Sequence, residues 1–169
     1  NILEELKDIV IERDDTTKDK FHKLIEDAEV VDIEGPHDME YFFKEISRRL
    51  GKILQMDTKY LFDKFIEREK ESSTVISEGL SIPHIVVEGK HVFKILLARA
   101  KTGIIFPDDK VVHIIFVLVG STDERNLHLK ALSAIAQITQ EPRFYKRWFR
   151  ATDKEELKTI VLLAERRRF

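Results

Sequence analysis

The chain has 169 residues, 43% of them hydrophobic and none of them cysteine. That length suits one domain with an ample core, and the missing cysteines exclude disulfides, thiolate metal sites and a cysteine nucleophile. Twenty-nine basic against 31 acidic residues leave a net charge of −2, so no whole-chain field draws it to nucleic acid or an anionic membrane, and no apolar run reaches the ~18 residues of a membrane helix.

In chain order, Ile2, Leu3, Leu6, Ile9 and Val10 recur at helical spacing among acidic and basic residues. This predicts an amphipathic helix that fades into the charged run Arg13 to Lys20. Phe21, Leu24 and Ile25 continue a second short helix. Residues 1–29 are therefore read as an amphipathic helical segment or connector, and 30–169 as the domain proper. A start at Asn1 rather than methionine suggests a fragment of a longer protein. Val30 to Ile33 read as a first strand, ended by Gly35-Pro36. Asp38 is placed to cap a helix from Met39 to about Leu50 that buries Phe42, Phe43, Ile46 and Leu50. Asp57 is placed to cap another from Thr58 to about Lys70 that buries Leu61, Phe62, Phe65 and Ile66. Two short apolar runs, Thr74 to Ile76 and Leu80 to Ile82, flank Gly79 as a hairpin. Strand signals continue through Val92 to Ala98, Gly103 to Phe106, and Val111 to Val119, a near-continuous apolar run that marks a central strand covered on both faces. Helices follow at about Glu124 to Gln140, with Leu127, Leu129, Leu132, Ile135 and Ile138 turned inward, from Pro142, and over Lys154 to Arg166. In the last of these, Arg166, Arg167 and Arg168 would complement the helix dipole. This alternation predicts an α/β three-layer sandwich, a mixed β-sheet covered by helices on both faces.

Chemistry concentrates in the segment Arg68 to His84, REKESSTVISEGLSIPH. Pro83 has a fixed φ and biases Ile82 towards extended backbone, so Ile82 should finish a strand and His84 should leave it in a set direction. A neutral imidazole offers one bare nitrogen, which makes His84 a candidate nucleophile; a satisfied structural histidine is the other reading of these residues alone. His128 falls about two residues after a helix start, where free N–H groups and the dipole favour an anion. Arg68 offers a guanidinium fork for phosphate oxygens or, alternatively, a salt bridge to Glu71 or Glu124. Ser73 and Thr74 bring hydroxyls that serve a phosphate or a strand start. His37, His91 and His113 sit singly in turn or strand positions. The only zinc set to be imagined joins His84 and His128 to a carboxylate, and no metal is expected. Nucleophile elbow, Walker loop and dinucleotide fingerprint are all missing.

Arg68-Glu69, Ser73-Thr74, Gly79 and Ile82-Pro83-His84, followed by Asn126, Leu127, His128, Leu129 and Leu132, form two motifs in a fixed order. Together they resemble the histidine motifs of enzyme IIA domains of the bacterial phosphoenolpyruvate-dependent sugar phosphotransferase system, of the fructose/mannitol and nitrogen-regulatory type. The likeness runs from about Val30 to the C-terminus and includes the Gly103 to Phe106 turn. It implies a cytoplasmic phosphocarrier without cofactor or nucleic-acid partner. His84 would accept a phosphoryl group from an HPr-type carrier and pass it to a IIB-type domain or use it as a signal, with His128 and Arg68 as stabilisers. The family usually has a small residue directly after the phosphorylated histidine. Here Ile85 stands there, and its β-branched side chain predicts a crowded approach for the donor. Ile85 and Val86 are also expected to form an exposed docking face for the partner. Two further readings remain: a cytosolic regulatory domain of a membrane transporter with phosphorylation weak or lost, and a small-molecule module with both histidines in a closed pocket. Oligomers are compatible with all of these.

Overall fold

The computed structural model of the chain describes residues 2–5 and 18–167. Residues 2–5 are helical; the rest of the first predicted helix lies outside the described residues. Helix α1 (Lys20–Glu26) is capped by the Asp19 carboxylate, which accepts from the His22 N–H at 2.9 Å. Strands β1 (Glu29–Ile33) and β2 (His37–Asp38) precede helices α2 (Met39–Leu54) and α3 (Thr58–Glu71). The hairpin β3 (Val75–Ser77) and β4 (Gly79–Ser81) leads to β5 (His84–Val87), then to the long strands β6 (Phe93–Phe106) and β7 (Lys110–Ser121). Helices α4 (Arg125–Thr139), α5 (Arg143–Arg150) and α6 (Lys154–Leu163) complete the chain. No helix among the described residues is long and apolar enough to cross a membrane.

All seven described strands join one mixed sheet in the order β1–β6–β7–β4–β3, with β2 also on β6 and β5 also on β7. The antiparallel pair β6–β7 is its centre. Side chains alternate along a strand, and here both faces are apolar. Ile95, Leu97, Ile114, Phe116 and Leu118 meet α1, α4, α5 and α6 through Phe21, Ile25, Ile135, Phe144, Trp148 and Leu157. Leu96, Ala98, Ile115, Val117 and Val119 meet α2 and α3 through Phe42, Phe43, Ile46, Leu61 and Phe65. The expected three-layer sandwich is thus explained by a central strand pair with no polar face to offer water. The packed unit takes in α1, which the sequence reading assigned to the connector.

Several boundaries differ from expectation. Helix α2 runs four residues past Leu50, because glycine at 51 lets the following turn close in. A Cβ there would lie 2.9 Å from both the Met56 carbonyl oxygen and Thr58 Oγ1. The segments expected as separate strands at Val92 to Ala98 and Gly103 to Phe106 are one strand, β6, with an irregular register between Arg99 and Ile104. Gly103 carries φ +103°, and a Cβ on it would collide with Val111 Cγ1. The last helix ends at Leu163, so Arg166 complements no helix dipole. It forks instead onto the Asp19 carboxylate, both contacts at 2.7 Å, and lies over the Phe21 ring. Leu129, expected inward, is 54% exposed.

Arg99 is buried in this core, 2% exposed. It faces Asp32 in cross-strand register and grips it with Nε at 3.0 Å and Nη2 at 2.5 Å. Its Nη1 donates to the carbonyls of Trp148 and Ala151 at the end of α5. One guanidinium therefore satisfies helix-end acceptors and a carboxylate at once, tying β1, β6 and α5 together. Arg99→Met, which orphans all of these, should cost about 3–5 kcal/mol of unfolding free energy. Asp32→Asn, which keeps a hydrogen-bonding oxygen, should cost about 1–3 kcal/mol. Urea titration of both variants checks the order; equal small losses would mean the network carries little stability.

Candidate functional site

The site begins with two short strands that lie end to end along one partner. β4 pairs parallel with β7 at Gly79 to Ser81, and β5 pairs parallel with the same strand further on, His84 opposite Leu118. Ile82 and Pro83 bridge the gap, with the Ile82 N–H donating to Thr74 O and Pro83 O accepting from the Leu118 N–H, both at 2.9 Å. His84 therefore opens a strand, whereas the sequence reading had it leaving one. The alternation of β5 sends His84 and Val86 towards the α4 side. Ile85 and Val87 point the other way, each 3% exposed in the α2–α3 core.

This alternation corrects two expectations about Ile85. Its side chain lies on the opposite face of the strand from the imidazole, so it crowds no approach to His84. Being buried, it forms no docking face; Val86 is 53% exposed.

The His84 ring is held at both nitrogens. Nδ1 lies 2.6 Å from the Ile82 carbonyl oxygen, and Nε2 lies 3.3 Å from Arg68 Nη2. A carbonyl only accepts and a guanidinium only donates. Both neighbours thus select one tautomer, with the proton on Nδ1 and a lone pair on Nε2. Burial pushes the His84 pKa down, and the Arg68 charge adds to this against the opposing pull of the Ile82 carbonyl. Arg68, in the last turn of α3, is itself braced by Nη1 donating to the Ser72 carbonyl at 2.9 Å and to the Ser72 hydroxyl at 3.2 Å. Its guanidinium is engaged by Ser72 and His84, not by Glu71 or Glu124.

His128 comes from α4, which starts at Arg125 after a 3₁₀ turn over Thr122–Glu124, so it stands in the first turn of the helix, three residues after its start. Its ring meets His84 edge-on, centroids 5.4 Å apart at 72°, and packs on Phe93 from the other side at 5.7 Å. Burial, with the adjacent His84 second, lowers its pKa from the ordinary 6.5 to about 4. Both imidazoles are neutral at physiological pH.

Thr74 stands apart from this pair. Its hydroxyl donates to Glu69 Oε1 at 2.5 Å and shares a hydrogen bond with Ser81, while its N–H donates to Glu69 Oε2. This buried knot anchors the hairpin to the end of α3 and leaves no hydroxyl for an incoming group. Ser73 Oγ accepts from the Val75 N–H at 3.1 Å, a turn bond at the strand start. The Arg-side hydroxyl is that of Ser72, which the sequence reading passed over.

Around the two histidines Val86, Ser121, Thr122, Arg125, Leu129 and Leu132 line an open hollow of about 290 Å³. Arg125 was not foreseen; a cation in the first turn of α4 reads in sequence as an ordinary surface charge. Volume alone would point elsewhere, to a cleft of about 980 Å³ between the β3–β4 hairpin and α5 that holds His113 and Tyr145. The chemistry favours the smaller hollow, since both imidazoles line it and the Arg68 guanidinium lies 3.3 Å from His84 Nε2. The one group of metal-type ligands among the described residues is His91, Asp123 and Glu124. It excludes both central histidines, and the Asp123 carboxylate is already taken by the His91 N–H and the Ser121 hydroxyl.

Known proteins resemble this chain in sequence and fold. Residues 24–163 fit the family model described as phosphoenolpyruvate-dependent sugar phosphotransferase system, EIIA 2. A nitrogen regulatory protein of Escherichia coli is 29% identical over 119 residues, covering 69% of this chain and 73% of its own. The mannitol-specific phosphotransferase enzyme IIA component of Geobacillus stearothermophilus is 30% identical over 124 residues, 69% of this chain and 83% of its own. Among solved structures, the nitrogen regulatory protein IIA-Ntr of Neisseria meningitidis superimposes with a TM-score of 0.72 at 25% identity, over 82% of this chain and 94% of that one. The IIA mannitol of Escherichia coli, at 16% identity and a TM-score of 0.64 over 78% of this chain and 94% of its own, shares the fold.

Because the folded-state pKa of His128 is depressed, its neutral form contributes stability that is complete above about pH 6.5 and lost as pH falls towards 4. His128→Phe, which cannot be protonated, should flatten the decline in thermal midpoint across that window. An unchanged slope in the variant would assign the acid sensitivity to other groups.

Proposed function

The chain belongs to the EIIA 2 family of the phosphoenolpyruvate-dependent sugar phosphotransferase system, and on that premise we propose that Nε2 of His84 is its phosphoryl acceptor. The observation that carries this is the double hold on the imidazole, which keeps the proton on Nδ1 and leaves the Nε2 lone pair facing Arg68 beside the hollow that His84 lines. Nε2 attacks the phosphorus of a phosphohistidine donor in line, the N–P bond to the donor breaks, and its electron pair returns to the donor ring. No proton needs to move first. The positive charge that develops on the His84 ring is met by the Ile82 carbonyl at Nδ1–H. Arg68, 3.3 Å from the nucleophile, transfers its N–H groups from Nε2 to the phosphoryl oxygens, and the neutral His128 ring supplies a further N–H from the side. The chain's work is positioning and charge stabilisation. Val86, Leu129 and Leu132 form the apolar rim against which an HPr-type donor and a IIB-type acceptor dock in turn, in the cytoplasm. A IIA mannitol of Escherichia coli has been solved in complex with a phosphorylated IIB, which supports this pairing for the corresponding face here.

A regulatory use of the same phosphorylation is favoured by the matches to nitrogen regulatory proteins. Attachment to a membrane transporter is favoured by the fructose-specific EIIABC and mannitol-specific EIICBA components, in which the matching domain is 15% and 12% of the chain.

Incubation with phosphoenolpyruvate, enzyme I and HPr should add one acid-labile phosphoryl mass to the chain, abolished in His84→Ala. His128→Ala and Arg68→Ala should slow its appearance by roughly 10²-fold each. Ile85→Ala should cost about 2–5 kcal/mol in stability and leave the rate of phosphorylation unchanged. A phosphoryl group that persists in His84→Ala, or none with any cognate carrier, would overturn the assignment.

A further inference from the structure

Away from this site, α5 carries Arg143, Lys146, Arg147 and Arg150, all exposed, at the i, i+3, i+4, i+7 spacing of a single helix face. The opposite face is anchored by Phe144 and Trp148, each fully buried against Phe116. The stripe is therefore held rigidly outward. Among the described residues none of the four cations is paired with a carboxylate, although surface cations of α2 and α3 such as Arg48, Arg49 and Lys59 are. Local stability does not account for the pattern. Residues three and four apart on a helix are neighbours, so these four make four repulsive pairs. The helix dipole rewards Arg147 and Arg150 in the last turn but disfavours Arg143 and Lys146 in the first.

The stripe borders an apolar feature. Arg147 and Arg150 rim a groove of about 390 Å³ between α5 and α6 whose other walls include Leu3, Ala151, Ile160 and Leu163. Ile2, 73% exposed, stands at the same end of the chain as Leu3. Glu156 also lines the groove, with both carboxylate oxygens held by Thr152. A row of cations beside an apolar shelf suits a partner that offers negative charge and hydrocarbon together. A phosphodiester backbone or a poly-acidic chain would use only the cations.

From this juxtaposition we propose that the α5 face is a docking surface for an anionic phospholipid bilayer, the four cations lying among the headgroup phosphates and the α5–α6 groove meeting the acyl boundary. The near-zero net charge does not oppose this, because at physiological salt the Debye length of about 8 Å lets a local patch act alone. The surface is independent of His84, so a phosphorylation assay neither supports nor weakens it.

The test is sedimentation of the 169-residue chain with vesicles of phosphatidylcholine alone or mixed with phosphatidylglycerol. Binding is expected to the mixed vesicles only, and to weaken as salt rises. Neutralising Arg143, Lys146, Arg147 and Arg150 to Gln should lower partitioning by roughly fivefold per charge. A variant with the same charge change on the other layer, Arg48→Gln, Arg49→Gln, Lys59→Gln and Lys64→Gln, should bind like the wild type, and matched thermal midpoints exclude unfolding. Equal binding by both fourfold variants, or equal binding to the two vesicle types, would overturn the proposal. So would binding to duplex DNA or polyglutamate without binding to vesicles, which would assign the stripe to a soluble partner.

Discussion

The site depends on one short hydrogen bond, from Nδ1–H of His84 to the carbonyl of Ile82, 2.6 Å long. Pro83 lies between them with a fixed φ; its own carbonyl accepts from the Leu118 N–H of β7, while the Ile82 carbonyl, turned away from β7, accepts from the imidazole two residues on. That bond sets the tautomer, the tautomer places the lone pair on Nε2, and Arg68 is braced by Ser72 to face it. Each later feature of the site presupposes this first one.

The larger frame is strand β7. It carries β4 and β5 along one edge and β6 along the other, and it leads directly into α4. His84 is positioned by its register against Leu118, and His128 by the helix that begins four residues after the strand ends. One strand therefore sets the distance between two imidazoles 44 positions apart in sequence. Because both faces of β7 are buried, a slip of one residue would exchange the two cores, and the register is correspondingly well specified. The neutral pair follows from this packing. Burial disfavours the charged form of each ring, and the closeness of the two discourages protonating both.

Three settings in the molecule illustrate different uses of positive charge. Arg99 is buried, forked on Asp32 and bound to helix-end carbonyls, so its charge is consumed by the fold. Arg68 is braced by Ser72 but directed at the Nε2 lone pair of His84. The cations of α5 have no partner among the described residues and are kept outward by the aromatic anchors behind them. Burial and partners, not residue type, decide which of these is structural.

Sequence alone determined the fold class, the capped starts of α2 and α3, the central strand and the order of the two histidine motifs. These follow from short-range physics: Asp38 and Asp57 accept from N–H groups three residues on, and alternation or helical spacing of apolar residues needs no long-range information. It misplaced what depends on contacts between distant segments. Ile85 read as exposed because a β-branched residue after a histidine carries no mark of which face it takes, and only the pairing of β5 with β7 turns it inward. Thr74 read as a hydroxyl for either a phosphate or a strand start, and only the folded chain closes Glu69 and Ser81 around it. Arg166 read as a helix end, but its partner is Asp19, 147 residues earlier. The choice between a structural and a nucleophilic His84 was likewise beyond the local residues, since the groups that select its tautomer and hold it neutral converge only when the sheet and both helical layers are assembled.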